Sequence, residues 1–264
     1  MMRSQFVEVQ REAGRALGNL SAYQRNHDDI VEHGGHQLLI SYLLSPDMAS
    51  QRVGSLGICN LSTNPDMRVL LMESGAMEPL MSLARSEDVE LEIQRFAILA
   101  IANLASCVDN HQAIVEEGSL PLLISLSSAP DEEVRQYAAF ALVKVALNAD
   151  LRKRITEEGG LEPVLYLART HSEEIHQDVL PAVCTLSFAD ANKSDICQCG
   201  GLPPLMKALA SSDVGMQRQA CCAIANLAEA IENQSYIVNA GAIPLIVEAL
   251  IHGNVIVQRE AAPR

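Results

Sequence analysis

The chain has 264 residues, of which 48% are hydrophobic and only 3% aromatic, and its 33 acidic residues outnumber 19 Lys and Arg. The resulting net charge of −14 argues against a nucleic acid as the main partner, because binding to phosphates needs clustered Lys and Arg. A membrane-spanning helix needs about 18 consecutive apolar residues, and no stretch of the sequence approaches this length. Seven Cys without the spacing of a disulfide framework favour an intracellular, cytoplasmic protein, with a nuclear location also possible.

The first predicted element is a helix over residues 7–22, which carries the phrase Val-Gln-Arg-Glu-Ala-Gly-Arg-Ala-Leu-Gly-Asn-Leu. Its last Asn is Asn19, and related phrases end at Asn60, Asn103 and Asn226. Weaker copies place Lys144 and Thr185 at the same position. These six positions are 41 residues apart, except for one step of 43, and this regular spacing indicates a structural repeat.

A second marker is a Gly that opens a phrase such as Gly-Ala-Ile-Pro-Leu-Ile. It recurs with the same steps, including the one of 43, at Gly34, Gly75, Gly118, Gly159, Gly200 and Gly241. Two markers that share one irregular step are hard to obtain by chance. The spacing places the two additional residues in the loop Ala84–Glu92.

Each period predicts three helices. A short helix runs from an Asn cap to the Gly, a second begins after the Gly with Pro in its first turn, and the third carries the phrase ending in Asn. The predicted caps are Asn26, Asn64, Asn110, Asn148, Asn192 and Asn233. We predict one solenoid over 1–264, with full repeats at 25–63, 64–106, 109–147, 148–188 and 191–230 and partial repeats at 7–22 and 233–264. Strand-like alternation is absent from the sequence, so no strand is expected.

The phrases Ala-x-x-Ala-Leu-x-Asn-Leu and Gly-Ala-Ile-Pro-Leu-Ile resemble the armadillo-repeat family, which includes β-catenin, importin-α and the vacuole-inheritance armadillo protein. The resemblance covers nearly the whole chain. It implies an all-α, right-handed superhelical solenoid of three-helix repeats, whose third helices line a concave groove. It also implies a function in binding other proteins.

The helical periodicity indicates which side chains face this groove. At about 100° per residue, the recurrent Leu, Ala and Val of the third helices point to one side, and the Asn lies at the edge of that apolar side. Residues four, seven and eight positions before the Asn turn progressively away from it. The candidate partner-binding residues are therefore Arg11, Arg15, Asn19, Arg52, Leu56, Asn60, Arg95, Phe96, Leu99, Asn103, Tyr137, Phe140, Lys144, Arg218 and Asn226.

These residue types suggest how a partner is bound. An Asn amide both donates and accepts hydrogen bonds, so a row of them can hold the backbone of an extended peptide. The Arg residues would recognise acidic or phosphorylated groups. The alternatives are that the Asn residues brace neighbouring helices, that the Arg residues pair with Glu on a solvated surface, and that the aromatic residues fold into the core. Pro181 predicts a kink, which the array tolerates, or which bends the groove or makes a separate pocket.

No catalytic motif is present, so no enzymatic activity and no cofactor are expected. The cysteines lack the usual Cys-x-x-Cys spacing of a zinc site, and no metal is expected. His27, His33 and His36 cluster near one end and are expected to be solvated.

The sequence therefore favours a non-enzymatic scaffold or adaptor that binds a protein or an extended peptide. A nuclear-import adaptor like importin-α is one alternative, but that family pairs the ladder Asn with Trp, and this chain has no Trp. A structural component of a vesicle, cytoskeletal or ciliary assembly is another. Val257-Gln-Arg-Glu-Ala-Ala repeats the phrase that begins at Val9, so we expect a longer array and end-to-end self-association.

Overall fold

The computed structural model describes residues 7–169 and 173–252, and the side chains of 8–169 and 178–251. The part of the predicted repeat 233–264 that follows residue 252, with the phrase beginning at Val257, lies outside the described residues. The described residues form α-helices and four short 3₁₀ turns and contain no strand, which confirms the all-α prediction. The helices are α1 (Val7–Leu20), α2 (His27–Glu32), α3 (Gly35–Leu43), α4 (Met48–Thr63), α5 (Arg68–Glu73), α6 (Met77–Arg85), α7 (Leu91–Ala105), α8 (His111–Glu116), α9 (Ser119–Leu126), α10 (Glu132–Ala146), α11 (Arg152–Glu157), α12 (Leu161–Ala168), α13 (Glu173–Ser187), α14 (Asp190–Gln198), α15 (Leu202–Leu209), α16 (Val214–Ala228), α17 (Ile231–Asn239) and α18 (Ala242–His252).

The helices are short, and α4 has 16 residues. Within the described ranges, no single helix is long and apolar enough to cross a membrane. Two bent pairs reach that length and composition only together: α7 with Val108–Glu116, at an angle of 105°, and α17 with Ala242–Ile251, at 86°.

The Gly at the end of each short helix allows a sharp turn into the next helix. All six of these glycines have a positive φ, between 73° and 90°. Side chains with a Cβ rarely adopt this conformation, so the predicted role of Gly as the terminating residue is confirmed. At Gly75, its N–H donates to the carbonyl of Met72, and the next N–H, from Ala76, donates to Leu71. The chain thereby satisfies the last carbonyls of α5 before α6 begins.

The Asn residues predicted to cap the short helices fall into two classes. Asn64 and Asn148 are caps, since their side chains accept from the N–H of Asp66 and Asp150. Asn26 and Asn110 stand at the N-cap positions of α2 and α8, as predicted, but their side chains make no capping bond. Asn192 and Asn233 lie inside α14 and α17, so for these two the prediction was wrong. The side chains of all four bind elsewhere. Each donates its side-chain N–H to a carbonyl six residues earlier, near the end of the preceding long helix. These four Asn lie seven residues after the ladder position, whereas the two caps lie four after it, so the two classes are not equivalent in the repeat.

The chain divides into two compact units, Met1–Ala141 and Leu142–Arg264, which we call unit 1 and unit 2. The core of unit 1 is closed by fully buried Leu, Ile and Met side chains, among them Leu39, Ile58 and Ile101. Helix α4 lies very close to α3, because a Cβ at Gly54 would stand 2.8 Å from the backbone oxygen of Leu39.

The core of unit 2 is built from the same positions of the repeat. Fully buried Val164, Leu186 and Leu205 come from α12, α13 and α15. Pro181 lies inside α13. The helix continues to Ser187, and the Thr185 hydroxyl donates to the Pro181 carbonyl at 2.9 Å.

Candidate functional site

The candidate site lies on the long helices of unit 1. We define the ladder face as the surface of α1, α4 and α7 that carries Asn19, Asn60 and Asn103. Asn19 is exposed, and Asn60 and Asn103 are half-buried. Three predicted site residues thus hold equivalent positions on successive long helices of one compact unit.

Each half-buried ladder Asn is hydrogen-bonded to a buried Ser of the preceding repeat. The Asn60 side-chain nitrogen donates to Ser21 Oγ at 3.1 Å, and that of Asn103 donates to Ser62 Oγ at 3.0 Å. Ser21 and Ser62 are both 0% exposed. One of the two amide hydrogens of each Asn therefore braces adjacent helices, which is the alternative considered from the sequence. The other hydrogen and the amide oxygen have no such partner among the described residues.

The Arg residues eight positions before each Asn also connect neighbouring long helices. Each one binds the acidic residue directly before the start of the next long helix. Arg11 meets Asp47 at 2.9 Å, Arg95 meets Asp131 at 2.5 Å, and Arg52 pairs with Glu90. Second carboxylates lie beside two of them, since Glu92 is 3.2 Å from Arg52 and Glu133 is 3.2 Å from Arg95. These guanidinium groups are therefore held by carboxylates of the chain itself.

The most enclosed of these ion pairs joins Arg95 to Asp131, whose side chains are 35% and 18% exposed. The hydrogen bond from Arg95 is the main reason why the pKa of Asp131 is lowered, and the N–H of Val134 adds to it. The pKa of Asp47 is also lowered, mainly by the hydroxyl of Ser50, and then by Arg11. Both carboxylates accept from N–H groups at the start of a long helix, where negative charge is favoured.

The apolar and aromatic candidates lie beside the ladder. Leu56, Leu99, Phe96, Tyr137 and Phe140 are all half-buried, so part of each side chain packs inside and part reaches solvent. Burial raises the pKa of the Tyr137 hydroxyl. Leu56, Leu99 and Phe96, on α4 and α7, give the ladder face an apolar portion next to its amides, whereas Tyr137 and Phe140 hold the equivalent positions on α10.

Five candidates meet at a cavity between α1 and α4. It has a volume of about 500 Å³, and its lining includes Arg11, Arg15, Asn19, Arg52 and Leu56. Arg15 pairs with Glu12 at 2.5 Å, and both side chains are well exposed. The cavity therefore combines an apolar wall with charged groups that are already paired.

The ladder positions of unit 2 are different. Lys144 binds Asp178 at 2.7 Å, with the Lys side chain only 15% exposed, and Thr185 bonds to the backbone of its own helix. Asn226 is buried and donates to Ser187 at 2.9 Å. Arg218 is exposed. The structure thus places the exposed amides in unit 1.

The sequence analysis missed the serines that hold the ladder Asn. They stand two residues after the ladder position, in Asn-Leu-Ser at 19–21 and 60–62 and in Thr-Leu-Ser at 185–187. The recurrence of Ser at this position was the available signal.

The prediction that the His residues are solvated was wrong for two of them. His27 is 1% and His36 is 6% exposed, whereas His33 is exposed. His27 Nε2 bonds to the carbonyl of Ser21 at 2.7 Å, and His111 Nε2 makes the equivalent bond to Ala105 at 2.8 Å. Within the described residues, no group of three or more His, Cys, Asp or Glu could hold a metal ion.

Comparisons with known families match parts of the chain to helical repeats. The Armadillo/beta-catenin-like repeat matches residues 189–229, and the HEAT-like repeat matches 92–145. No curated protein sequence matches the chain.

Solved structures match most of the chain. An engineered protein from a structural genomics consortium is 30% identical, with a TM-score of 0.77 over 98% of this chain, which spans only 64% of that protein. A designed armadillo repeat protein in complex with the peptide (KR)4 is 27% identical, with a TM-score of 0.65 over 85% of this chain and 95% of its own. Computationally designed armadillo repeat proteins for modular peptide recognition are also 27% identical, with a TM-score of 0.68 over 85% of this chain and 96% of theirs.

Proposed function

The chain belongs to the armadillo-repeat family, and from this premise we propose that it is a non-enzymatic scaffold or adaptor that binds an extended peptide on the ladder face of unit 1. The observation that carries the proposal is the pair of half-exposed amides, Asn60 and Asn103, held alike on successive long helices. An extended peptide presents backbone donors and acceptors along its length, which such amides can bind without reading the side chains. The half-buried Leu56, Leu99 and Phe96 lie beside the amides and would pack against apolar side chains of the peptide.

The charges on this face bear on the kind of peptide. Arg52 and Arg95 each face two carboxylates, so each of these junctions is net negative. An acidic or phosphorylated peptide, as the sequence suggested, would have to displace Glu90 or Asp131 from its Arg. A basic side chain could pair with Glu92 or Glu133 without breaking those bonds. We therefore propose a peptide with basic side chains, and the designed relative in complex with (KR)4 supports this choice.

A peptide selection tests the proposal. A random 12-residue peptide library is displayed on phage and selected against the wild-type chain, and its best binder is compared with basic, acidic and phosphorylated peptides of the same length. We expect an enriched peptide that binds the wild type and loses affinity to the double variant Asn60→Ala/Asn103→Ala. Gln112→Ala is the control, since it removes an exposed amide of α8 outside the ladder face.

Two results would contradict the proposal. Equal binding of the selected peptide to the wild type and to the double variant would move the working surface away from the ladder face. Preference for an acidic or phosphorylated peptide would leave the face in place and overturn the basic partner.

We also propose that the protein works inside the cell, in the cytoplasm. All seven cysteines are free thiols, and Cys59, Cys184, Cys197 and Cys221 are buried in packed helices. Buried thiols of this kind persist in a reducing compartment.

A further inference from the structure

The serines behind the ladder make two hydrogen bonds each. Ser21 Oγ donates to the carbonyl of Gly18 at 2.6 Å, and Ser62 Oγ donates to that of Cys59 at 2.7 Å. A hydroxyl has a single hydrogen, so these two can only accept from the Asn that contacts them. The contacting atom of Asn60 and Asn103 must therefore be the amide nitrogen and not the oxygen.

This requirement fixes the orientation of the amide. The shape of an Asn side chain alone does not fix it, because the amide oxygen and nitrogen have nearly the same shape. Ser21 and Ser62 are fully buried, so water cannot replace the bond from the Asn. The amide oxygens of Asn60 and Asn103 point away from the serines, and no hydrogen bond to either oxygen is made by the described residues. Neither oxygen is among the buried atoms without a partner, so both are accessible at the ladder face.

The rest of the chain obeys the same rule. Ser187 donates to the carbonyl of Cys184 and accepts from Asn226. The residues equivalent to these serines before Lys144 and Thr185 are Ala105 and Ala146. Asn thus stands at the ladder position wherever the preceding repeat supplies Ser, and another residue stands there where it supplies Ala.

We propose that Ser21 and Ser62 are positioning residues that set the polarity of the ladder, so that Asn60 and Asn103 present hydrogen-bond acceptors to the partner. The inference rests on the proposed function and adds the chemistry of recognition: the partner contributes hydrogen-bond donors, which in an extended peptide are its backbone N–H groups. Loss of Ser62 frees the amide of Asn103 to rotate and weakens binding, although Ser62 touches no partner.

The experiment compares Ser62→Ala with Ser127→Ala in the full chain. Ser127 is the matched control, because it is also buried and its hydroxyl also donates to a carbonyl three residues earlier, that of Ile124, but no ladder Asn contacts it. The first readout is the rotation rate of the Asn103 side-chain NH₂ group, measured by nuclear magnetic resonance. The second is the affinity for the best peptide from the phage selection and for copies of it with single backbone N–H groups methylated.

We expect Asn103 NH₂ rotation to be faster in Ser62→Ala and unchanged in Ser127→Ala. Peptide affinity should fall by about fivefold to tenfold in Ser62→Ala, the effect of losing one oriented hydrogen bond. Methylation of particular N–H groups should weaken binding to the wild type and have less effect on binding to Asn103→Ala.

Unchanged NH₂ rotation in Ser62→Ala would overturn the positioning role. Insensitivity of the affinity to every N-methylation would overturn the partner as donor. A wild-type chain that selects no peptide would refute the proposed function, and with it the partner's role as donor, while the rotation rate would still decide the role of Ser62.

Discussion

The long helices of unit 1 and unit 2 carry related sequence phrases, but the side chains at their ladder positions differ in type and in hydrogen bonding. In unit 1, Asn60 and Asn103 keep part of each amide at the surface. In unit 2, Lys144 is bound to Asp178 and Thr185 to its own helix. Long helices pack in both units, so the fold does not require Asn at the ladder position. This difference is the reason why we propose a partner-binding role for the exposed part of Asn60 and Asn103, in addition to their bonds to Ser21 and Ser62.

The largest effect on stability is expected from truncating a buried core Leu. It tests whether the cores of the two units are equivalent while their ladders differ. Leu104 and Leu186 each follow a ladder position and are 0% exposed, whereas Leu20, at the equivalent place in α1, is 54% exposed. Leu104→Ala and Leu186→Ala should each lower the free energy of unfolding by about 2–5 kcal/mol, because each leaves a cavity. Leu20→Ala should change it by at most about 0.5 kcal/mol. Denaturant unfolding measures all three, and a mild effect at only one buried Leu would show that the cores are not equivalent.

A smaller effect is expected from the ion pair that replaces the ladder amide in unit 2. Asp178→Asn removes the carboxylate from Lys144 and should lower the free energy of unfolding by about 1 kcal/mol, since Asp178 is 39% exposed and partly screened by solvent. The loss should shrink at high salt. Unfolding at two salt concentrations checks this, and Glu8→Gln, on the exposed side of α1, is the control. An equal loss in both variants would mean that the pair does not stabilise unit 2.

The next prediction concerns the buried His residues, which should make the stability of the protein depend on pH. Burial lowers the pKa of His111 below its ordinary value of 6.5, and that of His36 as well. The unfolded chain therefore binds protons more readily, and stability should fall as the pH drops below about 6.5. His111→Gln removes the titrating group, so this dependence should weaken. Gln can keep the hydrogen bond, since Gln234 at the equivalent position donates to the carbonyl of Ala228. Thermal unfolding between pH 5 and 8 measures it, and an unaltered pH profile in the variant would be evidence against the role of His111.

The smallest effect is expected at the exposed Arg row. Arg52→Gln breaks the pairs with Glu90 and Glu92, whose side chains are about half exposed, and should change the free energy of unfolding by under about 1 kcal/mol. Binding of a basic peptide should not weaken, since the variant leaves both carboxylates in place. A large loss of affinity for the basic peptide, measured by calorimetry, would instead mean that Arg52 itself contributes to binding the peptide.

The repeat and its helices could be predicted from the sequence, because the positive φ of Gly75 and its equivalents and the buried Leu positions recur at a fixed spacing. The partners of the site residues could not. The helical angle predicts the side of the helix on which Arg52 lies, but it does not predict its partner Glu90, which lies 38 residues further along, directly before another helix. A helical angle gives the direction of a side chain on its own helix, and it contains no information about the residues of the neighbouring helix. The burial of His27 and the bond from Asn60 to Ser21 depend on the same packing between repeats.

The most direct test of the account follows the Asn side-chain amides by nuclear magnetic resonance while the selected peptide is added. The central claim is that the ladder amides of unit 1 contact a partner, whereas Asn192 and Asn233, at 2% and 0% exposure, only join helices. We predict that the signals of Asn60 and Asn103 shift in proportion to peptide bound and that those of Asn192 and Asn233 stay in place. Binding of the peptide with no shift at Asn60 and Asn103 would contradict the claim.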